Sequence, residues 1–528
     1  MYYANEIIML CLNHKNSYIG YNSVYSEGEK ENNLRNILLY LYIIYNHKHS
    51  ITMVSDLNKF IAKSVDELSN KFSSRKDLLE IVGVLLLLRR MLYAKANVLT
   101  SEKYNDFAGL VRDSLPEAYK RLESMYPILK ELDLRWLFSF DRDADVLEIT
   151  NLLEYIHQRC QEDSTDYVSD EVDAEVFDLL YAKTQYVKDK QCLRTPRQII
   201  KLMVALIEPN TNESVLDTTF NSGYFLLEAY KRIQYTLLPN PEVVEKDADG
   251  FPSVPNTKDN IHLFDQQNNT YLEGVEKNED YYRLGILNIA LHGLSSVKYV
   301  KKDFFDFRRQ EESLFDIVLA NPPFGSRKNT SFRGDVPFET QYMDIQFLVR
   351  ILQFLKPGGR ACIIVPESSL TKTVHDYVYY RRLLLEEYAL EAVISLPAGT
   401  FSPVTNAKAS ILVVHRTKSV ERVWFYELEN IGYSLDRNKR RTKGLPLQDC
   451  LKRFSDRHNA RPNGDQKLGF FVDKEAIQKN NWVLAVKRYK KPEYEPIEQV
   501  DPQKLLAELM HEQQEIDSSL NVLKELLR

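Results

Sequence analysis

The run Phe315-Asp316-Ile317-Val318-Leu319-Ala320 leads directly into Asn321-Pro322-Pro323-Phe324. An apolar run broken only by Asp316 and closed by prolines predicts a buried parallel strand ending in a turn. The turn suits one kind of chemistry, methyl transfer to a planar exocyclic amine. The Asn321 side-chain oxygen and the Pro322 carbonyl can each accept a hydrogen bond from an NH2 group. Phe324 can stack on the ring that carries the amine, and Pro322 and Pro323 stiffen the backbone so that the acceptors stand ready beforehand. Asn321, Pro322, Pro323 and Phe324 are therefore the expected catalytic residues.

Working outward, 183–420 alternates short β-branched runs with helix-length segments. Examples are Glu213-Ser214-Val215-Leu216, Ala361-Cys362-Ile363-Ile364-Val365 and Glu391-Ala392-Val393-Ile394-Ser395-Leu396. This alternation predicts a doubly wound, Rossmann-like α/β sheet, with ligands beyond the carboxyl ends of the strands. Leu355-Lys356-Pro357-Gly358-Gly359-Arg360 reads as a helix end turning into a strand, and 239–269, with four prolines, as an inserted loop.

A methyl donor needs a pocket upstream of the turn. Val215-Leu216-Asp217 followed by Asn221-Ser222-Gly223 predicts a strand, a tight loop and a helix over 224–233, in which small or left-handed-tolerant residues let the backbone approach a ligand. Glu276 ends a second predicted strand, where a carboxylate can accept both hydroxyls of a ribose. Asp303 follows a third and is placed near an adenine ring. A single acid is more often a surface carboxylate; three at successive strand ends favour a cofactor site.

The flanks read differently. Residues 1–182 carry apolar residues at helical spacing over 34–45, 51–72, 75–92 and 146–159, so an N-terminal helical domain is expected. From 421 to 528 a C-terminal extension ends in a strong helix. There Leu509, Ile516 and Leu523 recur every seven residues beside Leu506, Leu520 and Leu527, a pattern suited to a partner chain. The chain has 528 residues, a net charge of −6 and five widely spaced cysteines. This composition excludes a disulfide framework, and no cysteine pair has metal-ligand spacing. Nucleic-acid binding would have to be local; Arg437, Lys439, Arg440, Arg441 and Lys443 crowd seven positions, a candidate phosphate contact. Apolar runs at 37–45 and 81–88 are too short to span a bilayer, so no membrane association and a cytoplasmic location are expected.

The segment from about 175 to 460 resembles the modification subunits of type I restriction–modification systems, which are DNA adenine-N6 methyltransferases. Thr195-Pro196-Arg197, Leu216-Asp217, Phe225-Leu226, Gly274-Val275-Glu276, Leu291-His292-Gly293, Asp303, the Asn321 turn, Leu355 to Arg360, Ile394-Ser395-Leu396-Pro397-Ala398-Gly399 and Asn430-Ile431-Gly432-Tyr433-Ser434-Leu435 occur in that family's order. The resemblance implies S-adenosylmethionine as cofactor, with Thr195, Pro196, Asp217, Thr219, Asn221, Ser222, Gly223, Glu276 and Asp303 around it, and no metal. It implies DNA as substrate with the target adenine flipped out, a separate specificity subunit bound by two copies of the chain, and a restriction subunit that joins some assemblies. Two departures stand out. The family loop Asp-Pro-Ala-Cys-Gly-Thr-Gly-Gly-Phe is here Asp217-Thr218-Thr219-Phe220-Asn221-Ser222-Gly223-Tyr224-Phe225, so a bulky Phe220 is expected to narrow the pocket. An aromatic pair before Thr-Pro is replaced by Leu193-Arg194, removing a stacking surface. Two alternatives follow: a catalytically degenerate DNA-binding scaffold, or an amino methyltransferase acting on RNA or protein, which shares the turn.

Overall fold

The computed structural model describes residues 194–490 with breaks at 255–263, 265–269, 295–296, 307–313, 326–339, 403, 436–439 and 459–467. It also describes parts of 79–87, 120, parts of 177–181 and most of 506–520. Helices expected at 34–45, 51–72 and 146–159 lie outside these residues. Within the helix expected at 75–92, Leu79, Val82, Val84, Leu86 and Leu87 are helical and buried.

Chain order is α1 (Arg197–Ile207), β1 (Ser214–Asp217), α2 (Tyr224–Leu237), β2 (Tyr271–Glu276), α3 (Glu279–Leu291), β3 (Val297–Lys301), β4 (Phe315–Ala320), α4 (Met343–Gln353), β5 (Leu355–Pro366), α5 (Glu367–Thr371), α6 (His375–Glu386), β6 (Ala389–Ser395), β7 (Ala409–His415), β8 (Arg422–Glu427), α7 (Pro446–Asp456), β9 (Gly469–Asp473) and α8 (Lys474–Lys479). One nine-stranded sheet runs β3-β2-β1-β4-β5-β7-β6-β8-β9. The half from β3 to β5 is parallel; β7 enters antiparallel between β5 and β6. In β4, Ile317, Val318, Leu319 and Ala320 are fully buried, as a central parallel strand with both faces covered demands.

The sheet continues past residue 420, where a boundary was expected: β8 pairs with β6 and β9 with β8. The compact unit ends at Arg488, and Tyr489–Arg528 forms a second. In that second unit the helical Leu506, Leu509, Met510, Ile516 and Leu520 are exposed. Among the described residues no helix is long and apolar enough to cross a membrane.

Two local expectations change. Lys356 to Arg360 is not a turn before a strand. α4 ends at Gln353, β5 begins at once, and the extra residues are absorbed as a register shift against β4 between Phe315 and Ile317, with Gly358 at φ 84°. Arg360 then donates to the carbonyl oxygens of Ile207 and Glu208 at 2.6 and 2.8 Å and pairs with both Glu213 oxygens, closing the C-terminus of α1 onto the sheet. The second change concerns 239–269, which is more than a surface loop, since Phe251, Val254 and Phe264 in it are buried.

Phe220 packs into the core while also contributing to the wall of the cavity beyond β1 and β4. It is 1% exposed, meets the Tyr299 ring edge-on at 5.0 Å, and occupies a slot opened by three glycines. A Cβ on Gly274 would lie 2.5 Å from its ring, one on Gly223 2.8 Å, and one on Gly285 closer still. The glycines at β2 and α3 thus make room for the aromatic that the loop carries.

Alanine in place of a helical glycine normally stabilises by ~1 kcal/mol. At Gly285 the new Cβ meets Phe220 and lies 2.7 Å from the Asn221 carbonyl oxygen, so Gly285→Ala is expected to destabilise by about 1–3 kcal/mol instead. Adding Phe220→Leu should recover part of the loss in denaturant unfolding, whereas additive losses would contradict the slot.

Candidate active site

The strand order reverses between β1 and β4, because β1 is followed along the sheet by β2 on one side and flanked by β4 on the other. Loops leaving the carboxyl ends of these two strands diverge there and open a crevice. A cavity of about 360 Å³ lies at this position, within the ~300–1,000 Å³ of small-molecule sites. Of the residues expected from the sequence, Thr195, Thr219, Asn221, Ser222, Glu276, Asp303, Asn321 and Pro323 line it. Pro196, Asp217, Gly223, Pro322 and Phe324 are outside the lining.

The loop after β1 is held from both sides. Phe220 N–H donates to the Val275 carbonyl of β2 at 3.0 Å and Thr218 N–H to Leu319 of β4 at 3.4 Å. Asn221 adopts φ 48° and Gly223 φ 76°, the left-handed conformation that asparagine tolerates better than most side-chain residues. The turn therefore survives loss of the family's first glycine. Asn288 of α3 anchors it by donating its Nδ2 to the Ser222 carbonyl at 2.7 Å.

Glu276 receives backbone N–H groups on both oxygens, Asn221 at 2.9 Å and Asn278 at 2.8 Å. Burial still raises its pKa, against the pull of those N–H groups. A carboxylate has about four acceptor positions, so it keeps capacity for a ligand hydroxyl. Asp303 accepts from Phe305 N–H at 3.1 Å and pairs with Lys277 at 3.3 Å. Phe304, Phe305 and Phe347 form an aromatic cluster beside it, with Phe347 4.8 Å from Phe304 and 5.3 Å from Phe305; all three line the cavity.

Asp217 is fully buried. One oxygen accepts Thr219 N–H at 3.0 Å and the other has no hydrogen-bond partner among the described residues. Burial raises its pKa to about 8, the Thr219 N–H opposes this, and the nearby Glu276 charge adds to it.

At the turn, Asn321 is buried at 6% exposure. Its backbone N–H donates to Thr219 Oγ1 at 3.1 Å and its Nδ2 to Thr195 Oγ1 at 2.8 Å. Phe324 is half-buried and meets Phe401 edge-on at 5.4 Å. Phe401 comes from the loop after β6 that contains Leu396 to Gly399, so this family-like segment props the aromatic end of the turn.

The sequence did not reveal several wall residues. Arg194, read as a lost stacking surface, holds its guanidinium 4.5 Å from the Tyr181 ring and 5.7 Å from that of Tyr281, and all three line the cavity. Tyr281 follows the N-cap Asn278, whose side chain accepts its N–H. Below lies a charged cluster. Arg197 pairs with Asp178 and, at 2.9 Å, with Glu228. Tyr224 donates to Asp178 at 2.6 Å and His292 sits 3.4 Å from it. Burial would raise the Asp178 pKa, but Arg197 and His292 hold it well below the usual carboxylate range.

The fold is that of the α/β methyltransferases, with the Asn321-Pro322-Pro323-Phe324 turn lying beyond β4. The chain belongs to the N-6 DNA methylase family, whose model matches residues 175–497. It is 27% identical over 345 residues to the type I restriction enzyme EcoEI methylase subunit of Escherichia coli, covering 63% of this chain and 64% of that protein. It is 23% identical over 399 residues to the type II restriction enzyme and methyltransferase RM.BcgI of Heyndrickxia coagulans, covering 72% and 58%. The chain thus spans under two thirds of the length of these curated relatives. Among solved structures, a type I restriction–modification assembly chain superposes with TM-score 0.56 at 20% identity, covering 88% of this chain and 97% of that one. The type I methyltransferase subunit of Streptococcus thermophilus does so with TM-score 0.54 at 17% identity, covering 87% and 99%. These likenesses bear out the α/β methyltransferase fold expected from the sequence.

Asp217 yields a pH prediction. Its pKa in the folded chain, about 8, lies above the ~3.9 of an exposed aspartate. Between those values the folded chain binds more protons than the unfolded one, so this group's contribution is complete below about pH 4 and is lost as pH rises through 8. Thermal midpoints of Asp217→Asn and wild type should diverge from pH 5 to pH 8, with wild type falling further. Parallel curves would show that Asp217 titrates normally.

Proposed function

We propose that the chain is the modification subunit of a type I restriction–modification system, methylating N6 of adenine in DNA. The observation that carries the reading is the Asn321 turn at the end of β4, opening into the cavity that the β1 loop, Glu276 and Asp303 also line. The cavity residues fit S-adenosylmethionine: Glu276 keeps acceptor capacity for a ribose hydroxyl, Asp303 and the Phe304–Phe305–Phe347 cluster suit an adenine ring, and the loop backbone at Asn221 and Gly223 permits close approach. When bound, that cofactor supplies an activated methyl group on a sulfonium.

The residues of the turn do the rest. Adenine N6 is a poor nucleophile because its lone pair is delocalised into the ring. Acceptors at Asn321 Oδ1 and the Pro322 carbonyl favour the pyramidal amine and stabilise its growing positive charge. The proton lost from N6 leaves through those acceptors to water. A base inside a duplex cannot reach a pocket behind Pro323, so the adenine is flipped out and stacks on Phe324, whose ring Phe401 steadies.

Target choice belongs to a separate specificity subunit, bound by two copies of the chain through the exposed apolar residues of 506–520; a restriction subunit completes some assemblies. Exposed Arg440, Arg441 and Lys443 sit in a hairpin in which Ser434 N–H donates to Arg440 at 2.6 Å and Tyr433 pairs with Arg441. The hairpin abuts the Phe401 loop, where a Cβ on Gly399 would lie 3.6 Å from Leu435. These cations suit phosphates flanking the flipped base; Arg437 and Lys439 lie outside the described residues. The core position of Phe220 favours a working pocket over a degenerate scaffold.

Single-molecule modification sequencing of host DNA tests the reading. With the chain intact, N6-methyladenine should mark one bipartite motif. Asn321→Ala should lower methylation by about 10²–10³-fold while S-adenosylmethionine binding persists. Equal methylation in the variant would remove Asn321 from the mechanism, and unmodified DNA in both strains, with partner genes expressed, would favour a scaffold or a different acceptor.

A further inference from the structure

The sequence places Thr195 with the cofactor, but its hydroxyl is engaged elsewhere. Thr195 Oγ1 lies 2.8 Å from Asn321 Nδ2, across 126 residues of sequence. An amide that turns its NH2 toward Thr195 turns its carbonyl oxygen to the other side of the same plane. That orientation decides the chemistry, because the reversed amide would meet the acceptor amine donor to donor and could neither hold it nor take up its developing charge.

We propose that Thr195 is a positioning residue for methyl transfer, fixing the Asn321 amide with its oxygen toward the acceptor amine. The inference rests on the reading of Asn321 given above. Three features of the chain support it. First, Thr195 is placed rigidly. Pro196 after it stands at φ −55° as the N-cap of α1 and confines the preceding residue to extended backbone. Arg197, one residue on, is anchored by Asp178 and Glu228. The Thr-Pro-Arg motif thus reads as anchor, brace and hydroxyl. Second, the Asn321 backbone is held separately, through its N–H to Thr219 Oγ1 at 3.1 Å, so the Thr195 bond acts on the side-chain amide and not on the placement of the turn. The family loop as written above has alanine in the place of Thr219, and alanine cannot make that bond. Third, Asn321 is buried apart from the side that lines the cavity, so the Nδ2 held by Thr195 lies on the protein side.

The test uses the full chain assembled with its specificity subunit and compares wild type, Thr195→Val and Thr195→Ser. Valine keeps the shape and removes the hydroxyl; serine keeps the hydroxyl. The expected result is a kcat reduced about tenfold or more in Thr195→Val, the scale of one lost hydrogen bond at a reacting group. Calorimetric affinity for S-adenosylmethionine and KM for DNA should stay within about twofold of wild type, and Thr195→Ser should restore kcat. Weakened cofactor binding with unchanged kcat at saturation would overturn the proposal and make Thr195 a cofactor contact. A serine variant as slow as valine would overturn it in favour of a steric role. Matched melting temperatures exclude misfolding as the cause. A wild-type assembly that binds S-adenosylmethionine but methylates no DNA would overturn the proposed function and this inference together, whereas an active wild type with an equally active Thr195→Val overturns this inference alone.

Discussion

The parallel pairing of β1 with β4 is the constraint on which the rest depends. Val215 faces Ile317, Leu216 faces Val318 and Asp217 faces Leu319. Strand order reverses at this pair, so the loop after Asp217 and the turn after Ala320 leave the sheet one strand spacing apart, ~4.8 Å. The cavity is what lies between them. Its register is fixed at the opposite end by Asp316, which accepts from Ser214 N–H and Oγ at 2.8 and 2.7 Å and from Lys356 at 2.8 Å. One carboxylate thereby ties β1, β4 and β5 together. A slip of one residue would turn every side chain of β4 to the other face and carry Asn321 out of the crevice.

Much of this was legible because it is local. The strand Phe315–Ala320 was read with both of its ends, since an apolar run closed by Asn-Pro-Pro has few other ways to fold. The helix after Gly223 and the acids at the ends of β2 and β3 followed from the same periodicity. What stayed hidden depends on contacts far apart in sequence. Phe220 looked obstructive because nothing in its own segment shows that Gly274 and Gly285 clear a slot for it. Insertion of β7 between β5 and β6 is invisible to a reading of strands one at a time. The fate of Arg194 is decided by Tyr181 and Tyr281, two rings contributed by different parts of the chain.

The charged cluster under the cavity shows why the entry to α1 is held so firmly. Glu228 and His292 are buried and Asp178 and Arg197 half-buried, so gathering them costs desolvation, which an apolar core would avoid. Removing one member would strand an uncompensated charge. Such a cluster therefore adds little net stability but tolerates only one arrangement, with Arg197 between two carboxylates and Tyr224 and His292 on Asp178. Since Arg197 opens α1 and Tyr224 opens α2, the cluster locks the starts of both helices, and those starts carry Thr195 on one side and the β1 loop on the other.

The altered loop then takes on a different meaning. A glycine-rich loop obtains its shape from backbone freedom; this one obtains it from packing. Phe220 is inserted as a peg, Asn221 adopts the left-handed conformation, and Asn288 and Val275 hold the backbone. On the partner elements, Gly274 and Gly285 supply the space that the aromatic peg fills. A loop held by a buried aromatic loses less conformational entropy when a ligand arrives than one built from glycines. The departure from the family's pattern therefore leaves a cavity of about 360 Å³ beside Asn321, with a loop wall whose shape comes from packing and not from backbone freedom.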